Sequence, residues 1–288
     1  MNSVHDKFVL LEQEMNGYFF ERREEIRGIL LATLSRVHIL FLGPKGTAKS
    51  QLVRAFWNRV QGVNYWERLF TKFTKDTEVF GPPSLPALKE EVYRVVTKGK
   101  LPEAHAAFVD ETFKGNSSIL NSLLTVMEER LFHNDVTQKV PLEVLVGASN
   151  ELPQEDELAA LYDRFILRYN LDYIHEPESF IQMILGGETP AITVGLSLEE
   201  IHKAQNEVTL VEVPRVVAEA AYMIRNQLFS EGILPSDRRM KRALRVVRAH
   251  AWLGGRSMAS TEDLSVLANI LWDLPQTRSK VLGIVLDV

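Results

Sequence analysis

The tightest constraint in this sequence lies between residues 38 and 57. A five-residue apolar run, His38-Ile-Leu-Phe-Leu42, stops at Gly43-Pro44, and a helical pattern resumes at Lys49. An uninterrupted apolar run of that length is the form of a strand buried on both faces of a parallel sheet. The turn joining it to the helix reads Gly43-Pro44-Lys45-Gly46-Thr47-Ala48-Lys49-Ser50, with Gln51 next. Glycines there let backbone N–H groups wrap an anion at the positive end of a helix, which makes Gly43 to Gln51 a phosphate cradle. In that geometry Lys49 reaches the β- and γ-phosphates of a nucleotide, and the Ser50 hydroxyl ligates Mg²⁺. The strict spacing GxxxxGK[ST] is broken once, at Ala48. Alanine fits right-handed helical dihedrals, so the departure matters only if that residue needs a positive φ.

Three further runs have strand character: Tyr65 to Phe70, Ala106 to Val109 and Val144 to Ala148, all expected to be buried. Helical patterns separate them, including Ser118 to Arg130 with Ile119, Leu123, Leu124 and Met127 on one face, and two helices over residues 5 to 34 split near Asn16-Gly17. Such alternation predicts a parallel sheet with helices on both faces. Residues 131 to 143 interrupt it as a small hairpin turning at Asn134-Asp135. After about residue 185 the strands stop, and Gly186, Gly187 and Pro190 punctuate a crossing into helical sequence. A capping box at Ser197-Leu-Glu-Glu200 opens the first helix there, and others follow near 213–229, 236–254 and 261–273. The expected organisation is an α/β core over residues 1–187 and an all-helical domain over 188–288.

Composition narrows the chemistry. The 288 residues are 45% hydrophobic and 25% charged, far from disordered or coiled-coil biases. A net charge of −5 gives no overall field favouring nucleic acid or an anionic membrane. Zero cysteines exclude disulfides, zinc–thiolate sites and thiol nucleophiles, and fit a reducing compartment. The seven histidines are too dispersed for a local zinc site. No apolar stretch reaches the roughly 20 residues of a spanning helix, and the N-terminus has no basic segment leading into an apolar run. A cytoplasmic protein without membrane insertion is expected.

Several polar residues stand where strands end. Ala106-Ala107-Phe108-Val109 delivers Asp110-Glu111 at a strand's carboxyl end, where open α/β sheets bind ligands. Asp110 would hold Mg²⁺ and Glu111 would polarise the attacking water, whereas an acidic dipeptide capping the next helix is the plainer alternative. Val144 to Asn150 ends in a side chain able to contact a γ-phosphate or that water; Asn150 is preferred over Ser149, and an Asx-turn is the alternative. Asp163-Arg164-Phe165 and Arg168 place two guanidinium groups on one face of a short helix, as surface ion pairs or, for Arg164 above Arg168, as an arginine finger entering a neighbouring subunit. Arg238 and Arg239 sit in the first turn of a helix with core face Met240, Ala243, Leu244, Val247 and Ala251, where the dipole disfavours cations. A nearby nucleotide phosphate would explain Arg238, while Arg242, Arg245 and Arg248 read as solvated face or subunit contact.

The order of GPKGTAKS, FVDE, GASN, YDRF and SDRR resembles an AAA+ ATPase of the MoxR family, most of all its RavA-like branch. The likeness extends to residues 74–82, 101–104, 119–125, 149–153 and 160–164, and the Ala48 variant is familiar in that branch. The resemblance implies an αβα P-loop core followed by a helical lid, assembled as a ring, usually hexameric, with ATP between subunits. It assigns Lys49 and Ser50 to Walker A, Asp110 and Glu111 to Walker B, Asn150 to sensor 1, Arg164 to the arginine finger and Arg238 to sensor 2. Phe20 precedes the first core helix, where members of the family close over the base. Residues 84–100 correspond to an insertion in helix 2 and residues 131–143 to a hairpin before sensor 1, both facing the pore or the client. Relatives act as chaperone-like remodellers alongside a partner with a von Willebrand factor A domain; longer ones carry a further domain whose functions are not carried over. ATP or ADP, Mg²⁺ and a protein client are the implied ligands. A DNA-translocating motor and a nucleotide-gated scaffold with little turnover are the competing functions, and the hairpin's single lysine, Lys139, argues against phosphate tracking.

Overall fold

The computed structural model describes residues 3–153, 156–185 and 191–288. The predicted crossing at Gly186, Gly187 and Pro190 lies outside the described residues. The helices are α1 (Val4–Tyr18), α2 (Arg23–Ser35), α3 (Lys49–Trp57), α4 (Asp76–Val79), α5 (Leu85–Lys89), α6 (Ser117–Glu129), α7 (Asp156–Arg164), α8 (Pro177–Leu185), α9 (Leu198–Leu210), α10 (Arg215–Ser230), α11 (Asp237–Leu253) and α12 (Arg278–Leu286). The strands are β1 (His38–Leu42), β2 (Val60–Gln61), β3 (Tyr65–Leu69), β4 (Ala106–Asp110), β5 (Leu131–His133), β6 (Thr137–Lys139), β7 (Val144–Ser149), β8 (Phe165–Asn170) and β9 (Leu196–Ser197). No described helix is long and apolar enough to cross a membrane. Contacts divide the chain into two compact units, one of residues 38–165 and 171–173, the other of the chain up to Val37, residues 166–170 and the described residues from 174 onward.

In the first unit the strands lie side by side in the order β3-β4-β7-β1, every pair parallel. Their continuous apolar runs explain why β1 and β7 are buried along their whole length. Tyr65–Leu69 departs from the expected buried strand: β3 is an edge, its Glu67, Arg68 and Leu69 exposed. Charged side chains on such an edge oppose pairing with another chain. Because the strands are parallel, Leu42, Leu69, Asp110 and Ser149 all finish at one end of the sheet. Thr112 fastens two of those ends, its hydroxyl donating to Val109 O at 2.9 Å and accepting from Ala148 N at 3.1 Å. Gly147 leaves room for this, since a Cβ there would stand 2.7 Å from the Phe165 ring and 2.9 Å from the Thr112 hydroxyl.

Two excursions leave the sheet of this unit and meet. The predicted hairpin forms, β5 pairing antiparallel with β6 about Asn134-Asp135. The Asn134 side chain accepts from Val95 N at 2.8 Å and donates to Val95 O at 3.1 Å, and Arg94 Nε donates to Asp135 at 2.7 Å. The hairpin is thereby joined to the inserted segment 84–100.

The second unit is helical. The Ser197 hydroxyl accepts from Glu200 N at 3.1 Å while the Glu200 carboxylate accepts from Ser197 N at 2.9 Å, completing the predicted capping box of α9. The segment expected as a helix over 261–273 is a 3₁₀ helix from Thr261 to Asn269, and α12 beyond it was not foreseen. The buried face of α11 is wider than its apolar spacing suggests, including Val246, Ala249, Trp252 and Leu253, while Met240 and Leu244 are half-buried.

Arg168 overturns its expected place on a helix face beside Arg164. α7 ends at Arg164, β8 begins at Phe165, and Arg168 is fully buried. Its Nη1 donates to Trp272 O at 2.6 Å and to Asp273 Oδ1 at 2.8 Å. Arg239 Nη1 donates to the same Oδ1 at 2.8 Å. A buried guanidinium held in this way is not a surface finger. Burial by itself would raise the Asp273 carboxyl, but the charges of Arg239 and Arg168 and their hydrogen bonds outweigh it and hold the pKa below the ordinary carboxylate range. Its contribution is therefore present above the unfolded value of about 3.9 and lost as pH falls through the lower folded value. Asp273→Asn should destabilise the protein by about 1–2 kcal/mol at neutral pH, the low end for a bond to a charged group because the carboxylate is half exposed. Urea unfolding of both proteins from pH 7 down to about pH 2 checks this, the difference being expected to shrink at the acid end.

Candidate active site

The cradle is shaped by three residues with positive φ. Gly43 (φ 140°) passes so close to the chain that a Cβ would sit 2.1 Å from Leu171 O. Gly46 (φ 84°) has open space where its side chain would be. Ala48, at the N-cap of α3, has φ 64° and ψ 18°, so the condition under which alanine matters is met. An L-residue in the left-handed region costs about 1–2 kcal/mol, so the loop carries strain at the place where the usual motif has glycine.

Lys49 is buried, its Nζ donating to Gly43 O at 2.8 Å, Pro44 O at 2.7 Å and Thr47 Oγ1 at 3.3 Å. Thr47, also buried, donates to Pro44 O at 3.0 Å. Lys45 through Gln51 line a cleft of about 490 Å³ with Leu69, Asp110, Glu111 and Asn150. Sequence separation of up to 105 positions between Lys45 and Asn150 is thus closed by the shared end of the parallel strands. A neighbouring cavity of about 570 Å³ shares Ser50, Leu69 and Asp110 and continues along Arg54, Glu67 and Arg68. There Arg54 binds Glu67 through two bonds of 2.7 and 2.6 Å, which hold that carboxyl below its ordinary range, and Arg68 pairs with Glu78.

Glu111 is the second strained residue of the site, with φ 52° and ψ 47°, and its side chain is only 8% exposed. Its Oε1 accepts from Asn150 Nδ2 at 3.0 Å and lies 3.6 Å from Lys45 Nζ; its Oε2 lies 3.1 Å from Lys114 Nζ. Asp110 Oδ1 accepts from Glu111 N at 3.0 Å. Ser149, the alternative to Asn150, donates its hydroxyl to Glu151 O at 2.6 Å. Ser50 and Asp110 bring one hydroxyl and one carboxylate to both cavities. Among the described residues no cluster of three or more acidic or histidine side chains surrounds a metal position. That sparse set of hard oxygens fits Mg²⁺, which keeps several waters and phosphate oxygens, rather than a metal needing an all-protein cage.

The remaining predicted residues lie elsewhere. Arg164 closes α7, with Nε 3.1 Å from Glu128 and Nη1 4.0 Å from Asp163. Phe20, half-buried in the turn after α1, and Arg238, exposed in the first turn of α11, belong to the other unit. Sequence reasoning missed Lys114 and Leu69. The first was signalled by opposite charge three residues after Glu111, and the second by its place at the carboxyl end of a strand.

Residues 6–208 match the family described as the MoxR domain of MoxR–vWA–β-propeller ternary systems, and residues 216–285 match the AAA lid domain. The chain belongs to the MoxR family of AAA+ ATPases. Two uncharacterised proteins of Methanocaldococcus jannaschii are 42% and 44% identical over 277 and 274 residues, covering 95% and 94% of this chain and 72% and 73% of theirs. A crystal structure of a proposed ATPase from Cytophaga hutchinsonii superposes with a TM-score of 0.78 at 18% identity, covering 99% of this chain and 95% of that one. That likeness concerns the fold: a parallel-sheet α/β core with a helical lid. In this MoxR chain, Ala48→Gly should relieve the left-handed alanine and raise stability by about 0.5–1 kcal/mol, the gain limited by glycine's freedom in the unfolded chain. Denaturant midpoints of the two proteins at unchanged slope measure it.

Proposed function

We propose that this MoxR protein hydrolyses ATP to ADP and phosphate with Mg²⁺, as one member of a ring, hexameric by family resemblance, that remodels protein complexes in the cytoplasm. The observation that carries the proposal is the placement of Glu111. A nearly buried carboxylate in a strained backbone, bonded to Asn150, faces the same cleft as the glycine-bent loop and Lys49. Strain kept at such a position is what preorganisation for one reaction requires.

Residues 1–187 act in this proposal as the nucleotide-binding core and 188–288 as the lid; the two family matches, over 6–208 and 216–285, support a core followed by a lid. The loop amides of Lys45 to Lys49 and the Lys49 ammonium hold the β- and γ-phosphates. Ser50 and Asp110 hold Mg²⁺, which supplies charge neutralisation on the phosphate oxygens when bound. Glu111 accepts a proton from water as the water oxygen bonds to the γ-phosphorus; the bond to the bridging oxygen breaks and ADP leaves with that electron pair. Asn150 fixes the Glu111 carboxylate and the water. Arg164 serves the neighbouring subunit's site, exchanging Glu128 for the transferring phosphate, while Arg238 for the phosphates and Phe20 for the base are carried by the family resemblance alone. Closeness to the RavA-like branch rests on the strings quoted above. A partner with a von Willebrand factor A domain is supported by the description of the matched family, which also names a β-propeller component, and a protein client is carried by the family resemblance. Nucleic acid is disfavoured by the net charge of −5.

Steady-state Mg·ATP hydrolysis across protein concentrations, with particle size measured in the same buffer, tests the proposal. Glu111→Gln should lower kcat by about 10²–10⁴-fold while ATP still binds, and Lys49→Ala should weaken binding. Arg164→Ala should lower turnover of the assembled form by about 10³-fold or more, with wild-type turnover per subunit rising with concentration. Normal hydrolysis by the Glu111 and Lys49 variants would sink the assignment.

A further inference from the structure

The loop presents two lysines in opposite states. Lys49 is buried and held by three oxygens of its own loop. Lys45 is 80% exposed along its side chain, lines the same cleft, and brings its ammonium to 3.6 Å from Glu111 Oε1. That oxygen already accepts from Asn150, and the other lies against Lys114. At 3.6 Å the Lys45 contact is an ion pair without a hydrogen bond, held at its solvent-exposed end, and pairs of that kind bind weakly. A flexible ammonium so placed transfers readily to any stronger anion entering the cleft. In the ATPase reading, the γ-phosphate of ATP is that anion, carrying more charge than one carboxylate and presenting three acceptor oxygens.

We propose that Lys45 is the residue by which this chain distinguishes ATP from ADP, its ammonium passing from Glu111 Oε1 to the γ-phosphate when that phosphate is present. ADP leaves Lys45 on the carboxylate. ATP draws it away, so the carboxylate that must accept a proton from water is relieved of one cation only when there is a γ-phosphate to attack. Lys114, on the opposite oxygen and outside the loop, keeps its place in both states. The inference rests on the ATPase reading and adds to it a side-chain contact that backbone wrapping of the phosphates does not supply.

Equilibrium binding of ADP and of a non-hydrolysable ATP analogue to the full chain, with Mg²⁺, tests it using wild type, Lys45→Ala and Lys45→Arg. Lys45→Ala should weaken analogue binding about tenfold while changing ADP affinity less than about twofold, and Lys45→Arg, which keeps the charge, should restore most of the preference. An equal loss for both nucleotides, or none, overturns the role of Lys45 and leaves the ATPase reading standing. Wild-type protein that binds neither nucleotide overturns the ATPase reading itself, and the inference with it. Thermal melting of the three proteins accompanies the titrations; because Lys45 is exposed, unchanged melting is expected, and an Ala variant that melts early while Arg fails to restore the preference would count against the proposal.

Discussion

An ammonium ion removed from water must find oxygen, and in this chain the ammonium of Lys49 finds it in the carbonyls of Gly43 and Pro44 and the hydroxyl of Thr47. Those three contacts curl the loop back onto the start of α3. The curled loop, Lys45 to Gln51, forms one wall of the cleft. The positive φ at Gly43 and Gly46 is what lets the chain turn tightly enough for one side chain to reach its own upstream carbonyls. A substitution that loosened the lysine would thus change the shape of the loop as well as its charge.

Two of the six described non-glycine residues with positive φ share this place. Ala48 and Glu111, from different strand–helix junctions, both occupy the left-handed region, and both line one cleft. Each is over-determined by its neighbours: Ala48 by the turn into α3, Glu111 by Thr112 fastening β4 to β7 and by three side chains on its carboxylate. Packed surroundings can hold two such residues at a cost of a few kcal/mol together.

How much of this was legible follows from what each signal measures. Apolar runs report burial, so β1, β4 and β7 and the end of the sheet where Asp110, Glu111 and Asn150 emerge could be read directly. β3 was misjudged as buried because Tyr65-Trp66 and Leu69-Phe70 bracket two charges that only an edge tolerates. Arg164 and Arg168 are four apart, a helical interval, yet the intervening Phe165-Ile166-Leu167 is apolar enough to form a strand, and the partner that buries Arg168 lies 105 positions away at Asp273. The positive φ of Ala48 is a property of closure of the loop, to which residue type is only a weak guide. The grouping of residues up to Val37 with the helical unit depends on long-range packing that no local period encodes.

The asparagine at the tip of the hairpin has a mechanical consequence. Asn134 grips both the N–H and the C=O of Val95, so hairpin and insertion have two bonds resisting both sliding and separation, with Arg94 and Asp135 as a third tie. The hairpin runs on into β7 and the insertion into β4, the two strands whose far ends carry Asn150 and Glu111. The two strands are thereby tied at both ends, by these contacts at one and by the 3.0 Å bond between Asn150 and Glu111 at the other. Hairpin, insertion, β4 and β7 thus form a closed circuit of bonded contacts rather than a single lever.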